Sequence, residues 1–241
     1  MRHGKGSQGT VAVIPAAGGG RRMGGAEPKQ FLEIDGKPLL AVTLEKFQVC
    51  RAVDSIVVVV PSESIHYCRR DIVEKYKLSK VERIVEGGRR RQDSVRLGIE
   101  ATGGEYALVL IHDGVRPLVQ PDLISRTVAC AMETGAAVAA LPAKETVKEV
   151  DWNNRVIKTY DRRRVWLVQT PQVFRYEDIF LAHQRAHQEG WEEVPDDALL
   201  LEKLGVRVRV IEGSEDNIKV TTPHDLALAR FLMGKQRSGL K

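Results

Sequence analysis

The segment from residue 15 to residue 30 combines glycines and cations in a way that suits binding of a polyphosphate. Glycines occupy positions 18–20, and they are followed by Arg21, Arg22 and Lys29. Backbone N–H groups of consecutive glycines can converge on an anion, and arginine and lysine supply charge-assisted hydrogen bonds. We therefore interpret this segment as a clamp for the phosphates of a nucleotide.

The length of this segment also indicates a functional loop. It follows an apolar, β-branched run at 10–14 that predicts a buried strand, and most strand-to-helix connections take only about 2–6 residues. Two common phosphate motifs do not fit. The dinucleotide fingerprint meets Met23 where its last glycine belongs, and the P-loop pattern meets Gly25 where lysine is required. A basic surface loop without a ligand is the alternative.

Asp113 is the candidate metal ligand. It follows a predicted strand at 106–111 and precedes Gly114. Mg²⁺ bridges triphosphate oxygens and usually needs only one or two protein carboxylates, so we predict that Asp113 holds Mg²⁺. Aspartate also caps turns at strand ends, and that structural role is the alternative. The neighbouring His112 is interpreted as a packing or supporting residue, since the six histidines show no metal-ligand spacing.

An α/β scaffold is predicted to position these residues. An apolar run at 165–168 predicts a late strand of the sheet. Apolar runs that alternate with helix-like patterns predict strands at 10–14, 55–60, 81–85 and 106–111, and helices at 38–49, 62–76 and 92–101. This alternation indicates a doubly wound, mostly parallel, Rossmann-like sheet. Ligands bind at the carboxyl ends of the strands in such folds, and the glycine-rich and arginine-rich loops follow predicted strand ends.

A β-hairpin arm is predicted to project from this sheet. Short β-rich runs at 145–151 and 155–160 flank Asn153-Asn154, a pair suited to a tight turn. We assign 143–164 to the arm within a single domain that spans 1–241. Because a lone hairpin has too little core to be stable, it packs either on a second subunit or on the edge of its own sheet. The residues alone leave both possibilities open.

Composition restricts the class of partner. The chain has 241 residues and a net charge of +5, with arginine clusters at 21–22, 89–91 and 162–164. Aromatic residues make up only 5%, and none alternates with the arginines to stack bases, so a phosphorylated small molecule is favoured over nucleic acid. Three cysteines without a CxxC motif predict a reduced, cytoplasmic protein. The polar start and short apolar run predict no signal peptide and no membrane association.

Motifs along nearly the whole chain resemble the 2-C-methyl-D-erythritol 4-phosphate cytidylyltransferase family, within the sugar-phosphate nucleotidyltransferases. They are Ala16-Ala17-Gly18, Arg21-Arg22, Met23-Gly24, Pro28-Lys29-Gln30, Gly87-Gly88 and the segments 113–117, 169–172 and 216–221. The resemblance implies transfer of CMP from CTP to 2-C-methyl-D-erythritol 4-phosphate, which gives 4-diphosphocytidyl-2-C-methyl-D-erythritol and pyrophosphate in isoprenoid biosynthesis by the MEP pathway. It also implies Mg²⁺ as cofactor.

The resemblance implies roles for individual residues on the nucleotide side. Arg21 and Lys29 would hold the β- and γ-phosphates, and Lys219 would face the α-phosphate. The implied nucleotide-binding residues are Pro15, Ala16, Ala17, Gly18, Gly20, Gly88, Arg89, Ser94 and Gly114. The family commonly has an acidic residue where this chain has Arg89. The nucleophile would be a phosphate monoester, which is anionic at neutral pH, so no Ser–His pair is needed.

On the acceptor side, the resemblance implies Asp113, Arg116, Thr146, Arg162 and Thr170. Family members dimerise through such an arm, which favours a homodimer in which Thr146 and Arg162 serve the site of the other subunit. The family usually has threonine where this chain has Pro195, before the acidic pair Asp196-Asp197, which we predict to cap a helix that reaches Leu204. Ribitol 5-phosphate or another sugar or alditol phosphate is the alternative acceptor. A nucleotide-sensing protein without turnover is the rival from another class.

Overall fold

A seven-stranded sheet forms the centre of the protein, whose computed structural model describes residues 9–18 and 28–238. In spatial order the strands are β11 (Arg209–Glu212), β7 (Ala136–Pro142), β10 (Trp166–Arg175), β6 (Leu108–Ile111), β1 (Thr10–Pro15), β4 (Ser55–Val60) and β5 (Val81–Glu86). Strand β10 runs antiparallel to both of its neighbours, whereas the other pairs are parallel. The predicted mostly parallel α/β sheet is confirmed.

Helices cover both faces of the sheet because alternate residues of each strand point to opposite sides. Ile14 of β1 belongs to an apolar cluster with α1 (Leu39–Val49) and α4 (Pro121–Thr134). Its neighbour Val13 belongs to a second cluster on the other face, with α3 (Arg91–Glu100), α5 (Tyr176–Gln188) and α6 (Ala198–Lys203). The last helix, α7 (Pro223–Ser238), packs with α1 in a third cluster. Within the described ranges, no helix is long and apolar enough to cross a membrane.

Two parts of the chain differ from the predicted elements. The predicted helix at 62–76 is a 3₁₀ turn (Ser62–Ser64), a short α2 (Ile65–Tyr67) and a π-helix (Cys68–Glu74), because apolar spacing does not specify the hydrogen-bond register of a helix. The predicted strand at 165–168 is only the start of β10, which continues to Arg175 after a register shift. The polar residues of the 169–172 segment interrupt the apolar run, so the sequence pattern does not show that the strand continues.

Helix α4 was not predicted, although the chain marks both of its ends. Pro121 occupies its first position and Gly135, at φ 86°, follows its last residue. Proline is pre-organised for a first helical position, and glycine adopts the left-handed C-cap conformation without strain. These two signals would have located the helix.

The predicted hairpin is present as β8 (Lys148–Val150) and β9 (Val156–Thr159), which pair only with each other. Its turn contains Asn154 at φ 61°, a conformation that asparagine tolerates well. A second small ribbon is formed by β2 (Glu33–Ile34) and β3 (Lys37–Pro38), which leads into α1.

Candidate active site

A cleft opens where the loops that follow β1, β5 and β6 meet. Strands β1 and β6 are parallel neighbours, and the Gly114 N–H donates to the Pro15 carbonyl at 3.1 Å, so their loops are held together. We call this space the Gly88 cleft. Its lining residues are Pro15, Ala16, Ala17, Gly18, Lys29, Gln30, Gly88, Arg89, Arg90, Arg91, Ser94, Asp113, Val115 and Lys219. Lys29 and Lys219 therefore line the same cleft.

Gly88 is held in a tight turn before α3. Its N–H donates to Ser94 Oγ at 3.1 Å, and that hydroxyl lies 3.1 Å from the Arg90 carbonyl oxygen, to which it donates. A Cβ on Gly88 would lie only 2.4 Å from the Cβ of Asp93, so no side chain fits there. The Ser94 hydroxyl thus stabilises the turn, while Arg89, which follows Gly88, is exposed.

A second cleft lies beside the first, and we call it the Thr170 cleft. Its lining residues are Arg91, Asp113, Arg116, Val168, Gln169, Thr170, Gln172, Pro195, Asp196, Leu199, Glu202 and Lys219. The two clefts share Arg91, Asp113 and Lys219. A ligand in one cleft can therefore meet a ligand in the other at these three side chains.

Asp113 is surrounded by three cations. Its Oδ2 lies 2.9 Å from Lys219 Nζ and 3.5 Å from Arg116 Nε, and its Oδ1 lies 3.2 Å from Arg91 Nε. Burial alone would raise the pKa of the Asp113 carboxyl, but Arg91, Lys219 and Arg116 together hold this pKa well below its ordinary value. The carboxylate is therefore ionised throughout the neutral range and fixes the cations around it.

Lys219 stands on a loop that is fastened to the sheet on both sides of it. The buried Asn217 side chain donates to the Thr170 carbonyl oxygen at 2.8 Å, and the backbone carbonyl oxygen of Asn217 accepts from Arg116 Nη1 at 2.7 Å. On the other side, the Val220 N–H donates to the carbonyl oxygen of Val115 at 2.9 Å. These bonds place Lys219 at the junction of the clefts before any ligand arrives.

His112 and Thr170 form a buried support for Asp113. Thr170 Oγ1 accepts a hydrogen bond from the Asp113 N–H at 3.1 Å and lies 3.1 Å from His112 Nδ1. The other ring nitrogen, Nε2, lies 3.3 Å from the Arg116 carbonyl oxygen, so we assign the proton to Nε2 and let Thr170 donate to Nδ1. Burial lowers the pKa of His112 to about 3. The interpretation of His112 as a supporting residue agrees with this geometry.

Arg91 and Asp197 are site residues that the sequence did not single out. Arg91 Nη2 lies 2.8 Å from Asp197 Oδ2, and the Asp197 side chain is only 1% exposed. Asp196 caps α6 as predicted, since its Oδ1 accepts from the Leu199 N–H at 3.1 Å, but the Asp197 side chain makes no capping bond. Spacing could not show which of three consecutive arginines points inward. The only sign of a further role for Asp197 in the sequence was that Asp196-Asp197 offers two carboxylates where a helix cap needs one.

Thr146 and Arg162 line neither cleft and are exposed on their own chain. Arg162 Nη1 donates to the Lys144 carbonyl oxygen at 2.7 Å, at the base of the arm. The arm also exposes apolar side chains, among them Trp152, which is fully exposed, and Ile157, at 62%. Gly20 and Arg21, which the sequence placed at the phosphates, lie outside the described residues.

The described residues offer little to a metal ion beyond Asp113. Among them, no group of three or more His, Cys, Asp or Glu side chains could hold one. Both carboxylate oxygens of Asp113 already contact Arg91, Arg116 or Lys219, and a metal cation there would have to compete with these charges. The prediction that Asp113 binds Mg²⁺ is therefore not supported by the chemistry of its surroundings. These surroundings suit a role for Asp113 as a fixed counter-ion of Lys219.

Comparison with known proteins gives a consistent result. A family model described as "IspD: 2-C-methyl-D-erythritol 4-phosphate cytidylyltransferase" matches residues 10–235. Curated proteins named 2-C-methyl-D-erythritol 4-phosphate cytidylyltransferase include one from Geobacter metallireducens, 48% identical with 90% of this chain and 94% of the relative covered. Another, from Syntrophus aciditrophicus, is 45% identical with 94% and 96% covered.

Solved structures show the same likeness. The crystal structure of a 4-diphosphocytidyl-2C-methyl-D-erythritol synthase from Anaerococcus prevotii matches with a TM-score of 0.83 at 29% identity, covering 95% of this chain and 97% of that one. The structure of a 2-C-methyl-D-erythritol 4-phosphate cytidylyltransferase from Thermus thermophilus matches with a TM-score of 0.73 at 35% identity, covering 93% and 98%.

Proposed function

The chain belongs to the 2-C-methyl-D-erythritol 4-phosphate cytidylyltransferase family, and we propose that it transfers CMP from CTP to 2-C-methyl-D-erythritol 4-phosphate. The products are 4-diphosphocytidyl-2-C-methyl-D-erythritol and pyrophosphate. One observation carries the proposal: Lys219 and Asp113 lie at the junction of the Gly88 cleft and the Thr170 cleft. A nucleotide in the first cleft and a phosphorylated acceptor in the second would meet at a lysine ammonium.

The reaction needs positioning and charge more than it needs a base. A phosphate oxygen of the acceptor attacks the α-phosphorus of CTP, the bond from that phosphorus to the bridging oxygen breaks, and pyrophosphate leaves with the electron pair. Lys219 stabilises the negative charge that grows on the α-phosphate oxygens in the transition state. Lys29, with Arg21, holds the β- and γ-phosphates and neutralises the leaving pyrophosphate.

The remaining residues divide between the two substrates. In the Gly88 cleft, the backbone of residues 15–18 and of Gly88 approaches the nucleotide closely, with Arg89 and Ser94 beside the base. In the Thr170 cleft, Arg116 and Asp113 bind the acceptor. The hydroxyl of Thr170 already bonds to His112 and the Asp113 backbone, so we assign it to the placement of Asp113 and not to a direct bond with the acceptor.

Mg²⁺ is the cofactor we propose, as the counter-ion that enters with the triphosphate, because Mg²⁺ is commonly bound through substrate phosphates and water. Bound there, it would neutralise phosphate charge. Since Asp113 is already paired with cations, we place no step of the reaction on the metal.

We also propose that the chain is one nucleotidyltransferase domain that dimerises through the arm at 143–164 and acts in the cytoplasm. The exposed apolar side chains of the arm are the kind of surface that a partner covers, and Arg162 and Thr146 would then reach the acceptor of the other subunit. Mixing purified Arg162→Ala and Lys219→Ala proteins tests this arrangement. Regained activity in the mixture supports sites built from two chains, whereas a mixture as inactive as its components contradicts them.

The test of the reaction itself is release of pyrophosphate from CTP with each acceptor. We expect turnover with 2-C-methyl-D-erythritol 4-phosphate at a higher kcat/KM than with ribitol 5-phosphate. A higher value with ribitol 5-phosphate would contradict the acceptor assignment. CTP binding without pyrophosphate release in the presence of either acceptor would instead support a nucleotide sensor.

A further inference from the structure

A line of charged and polar side chains, half-buried at Arg91 and buried beyond it, runs from Asp113 away from the clefts. Arg91 Nε lies 3.2 Å from Asp113 Oδ1, and Arg91 Nη2 lies 2.8 Å from Asp197 Oδ2. On its other side, Asp197 Oδ1 lies 3.3 Å from His183 Nε2. The side chains of Asp197 and His183 are each only 1% exposed, so this line passes from the site into the interior of the protein.

The energetics argue against a purely stabilising role for this line. A buried ion pair rarely adds net stability, because removing both charges from water costs about as much as their attraction returns. Apolar side chains at positions 91, 183 and 197 would pack α3, α5 and α6 together at lower cost. The polar line therefore points to a role in the orientation of a functional group, and the group at its cleft end is Asp113.

The shape of Arg91 suits it to this role. A guanidinium has several N–H donors in one rigid plane, and here different nitrogens of that plane face the two carboxylates. The opposing charges of Asp197 and Asp113 raise the pKa of Arg91 although its burial acts in the other direction, so the bridge stays charged. His183 Nε2 approaches the second carboxylate oxygen of Asp197 at 3.3 Å.

We propose that Arg91, Asp197 and His183 are positioning residues that orient the Asp113 carboxylate for the acceptor, an inference that rests on the proposed function. Arg91 holds Oδ1 while Oδ2 faces Lys219. Arg91, anchored to Asp197, restrains rotation of the Asp113 carboxylate, and Lys219 keeps its place at the junction. Loss of the anchor would misplace Asp113 and Lys219, and a misplacement of about 1 Å can lower a rate about 100-fold.

The experiment compares His183→Gln and Asp197→Asn with the matched control His187→Gln, an exposed histidine on the same helix. Pyrophosphate release gives kcat and KM for each substrate, and thermal unfolding gives Tm. We expect kcat/KM for the acceptor to fall about 10-fold to 100-fold in both variants, while KM for CTP and the control stay at wild-type values. Lower Tm values with wild-type kinetics would overturn the proposal.

The Arg91→Lys variant tests whether Arg91 must bridge the two carboxylates or must only supply a positive charge. A single ammonium keeps the positive charge but cannot face two carboxylates from separate nitrogens, so we expect it to lose about as much acceptor kcat/KM as Asp197→Asn. Wild-type kinetics in Arg91→Lys would overturn the bridge. If Asp197→Asn fails to fold, His183→Gln and Arg91→Lys decide the question, since each leaves Asp197 a partner.

A crystal structure of His183→Gln distinguishes failure of this inference from failure of the proposed function. If wild-type protein makes no pyrophosphate, the proposed function fails, but a displaced Asp113 carboxylate in the variant still supports the positioning line. An unmoved Asp113 carboxylate overturns the positioning line whatever reaction the wild type catalyses.

Discussion

Lys219 Nζ lies 2.9 Å from Asp113 Oδ2, and this ion pair joins the two clefts of the site. The lysine side chain remains 35% exposed, whereas the carboxylate is nearly buried at 8%. A partly exposed cation held by a buried anion can turn toward a phosphate without a large loss of stability, because Arg91 and Arg116 still neutralise the carboxylate.

Lys219→Ala should therefore lower kcat strongly while the protein stays folded. Removal of a cation that stabilises transition-state charge typically costs about 10²–10³ in kcat, and Lys29→Ala should cause a loss in the same range. Steady-state pyrophosphate release measures the effect, with Lys75→Ala, remote from both clefts, as the control. Turnover within about 3-fold of wild type in Lys219→Ala would contradict its role at the α-phosphate.

Thr170→Val should destabilise the protein and lower activity, whereas Thr170→Ser should retain both. Valine removes the hydroxyl that accepts from the Asp113 N–H and contacts His112 Nδ1, and a buried polar group left without a partner costs about 1–3 kcal/mol. Urea unfolding measures the free energy, and pyrophosphate release measures activity. A valine variant as stable as the serine variant would show that the hydroxyl is dispensable.

His112 should make the protein less stable as the pH falls below neutral. Burial lowers its folded-state pKa from 6.5 to about 3, so the unfolded chain takes up a proton in this window while the folded protein does not. The contribution of His112 is fully present above pH 6.5 and is lost as the pH falls toward 3. The free energy of unfolding should drop by about 2 kcal/mol between about pH 7.5 and about pH 5 from this residue alone.

Urea unfolding of wild type, His112→Asn and the exposed-residue control His187→Asn at the two pH values tests this dependence. The drop should be smaller in His112→Asn and unchanged in the control. Asp113 and Asp197, whose carboxyl pKa values lie below the ordinary value of 3.8, lose their contributions only at lower pH. Equal drops in all three proteins would contradict the assignment to His112.

Two helical glycines should respond in opposite ways to alanine. A Cβ at Gly98 in α3 would lie 2.5 Å from Val13 Cγ1 and 2.9 Å from Val59 Cγ2, whereas one at Gly234 in α7 meets no heavy atom within 4 Å. Gly98→Ala should cost about 1–3 kcal/mol through overpacking against the sheet. Gly234→Ala should stabilise by about 0.5–1 kcal/mol through helix propensity. Urea unfolding compares them, and a stabilising Gly98→Ala would contradict the close approach of α3 to the sheet.

The sequence foretold elements whose signals are local. The β-branched run of β4 predicts a buried strand because it depends on the conformational preferences of adjacent residues, and Ser55–Val60 is buried throughout. The tight turn at Asn154 is of the same kind. The phosphate loop after β1 stays a prediction. Only the first half of strand β10 was predicted, since its 169–172 segment has the polar residues of a binding site and lacks the apolar pattern of a strand.

What the sequence by itself determined was the class of sheet and the family, because residue types and short-range periodicity carry that information. Only the tertiary structure decided which arginine of 89–91 turns inward and that Asp197 pairs with it instead of capping a helix. The physical reason is that a buried charge is tolerated only where an opposite charge meets it, and Asp113, Arg91 and Asp197 meet through folding of distant segments.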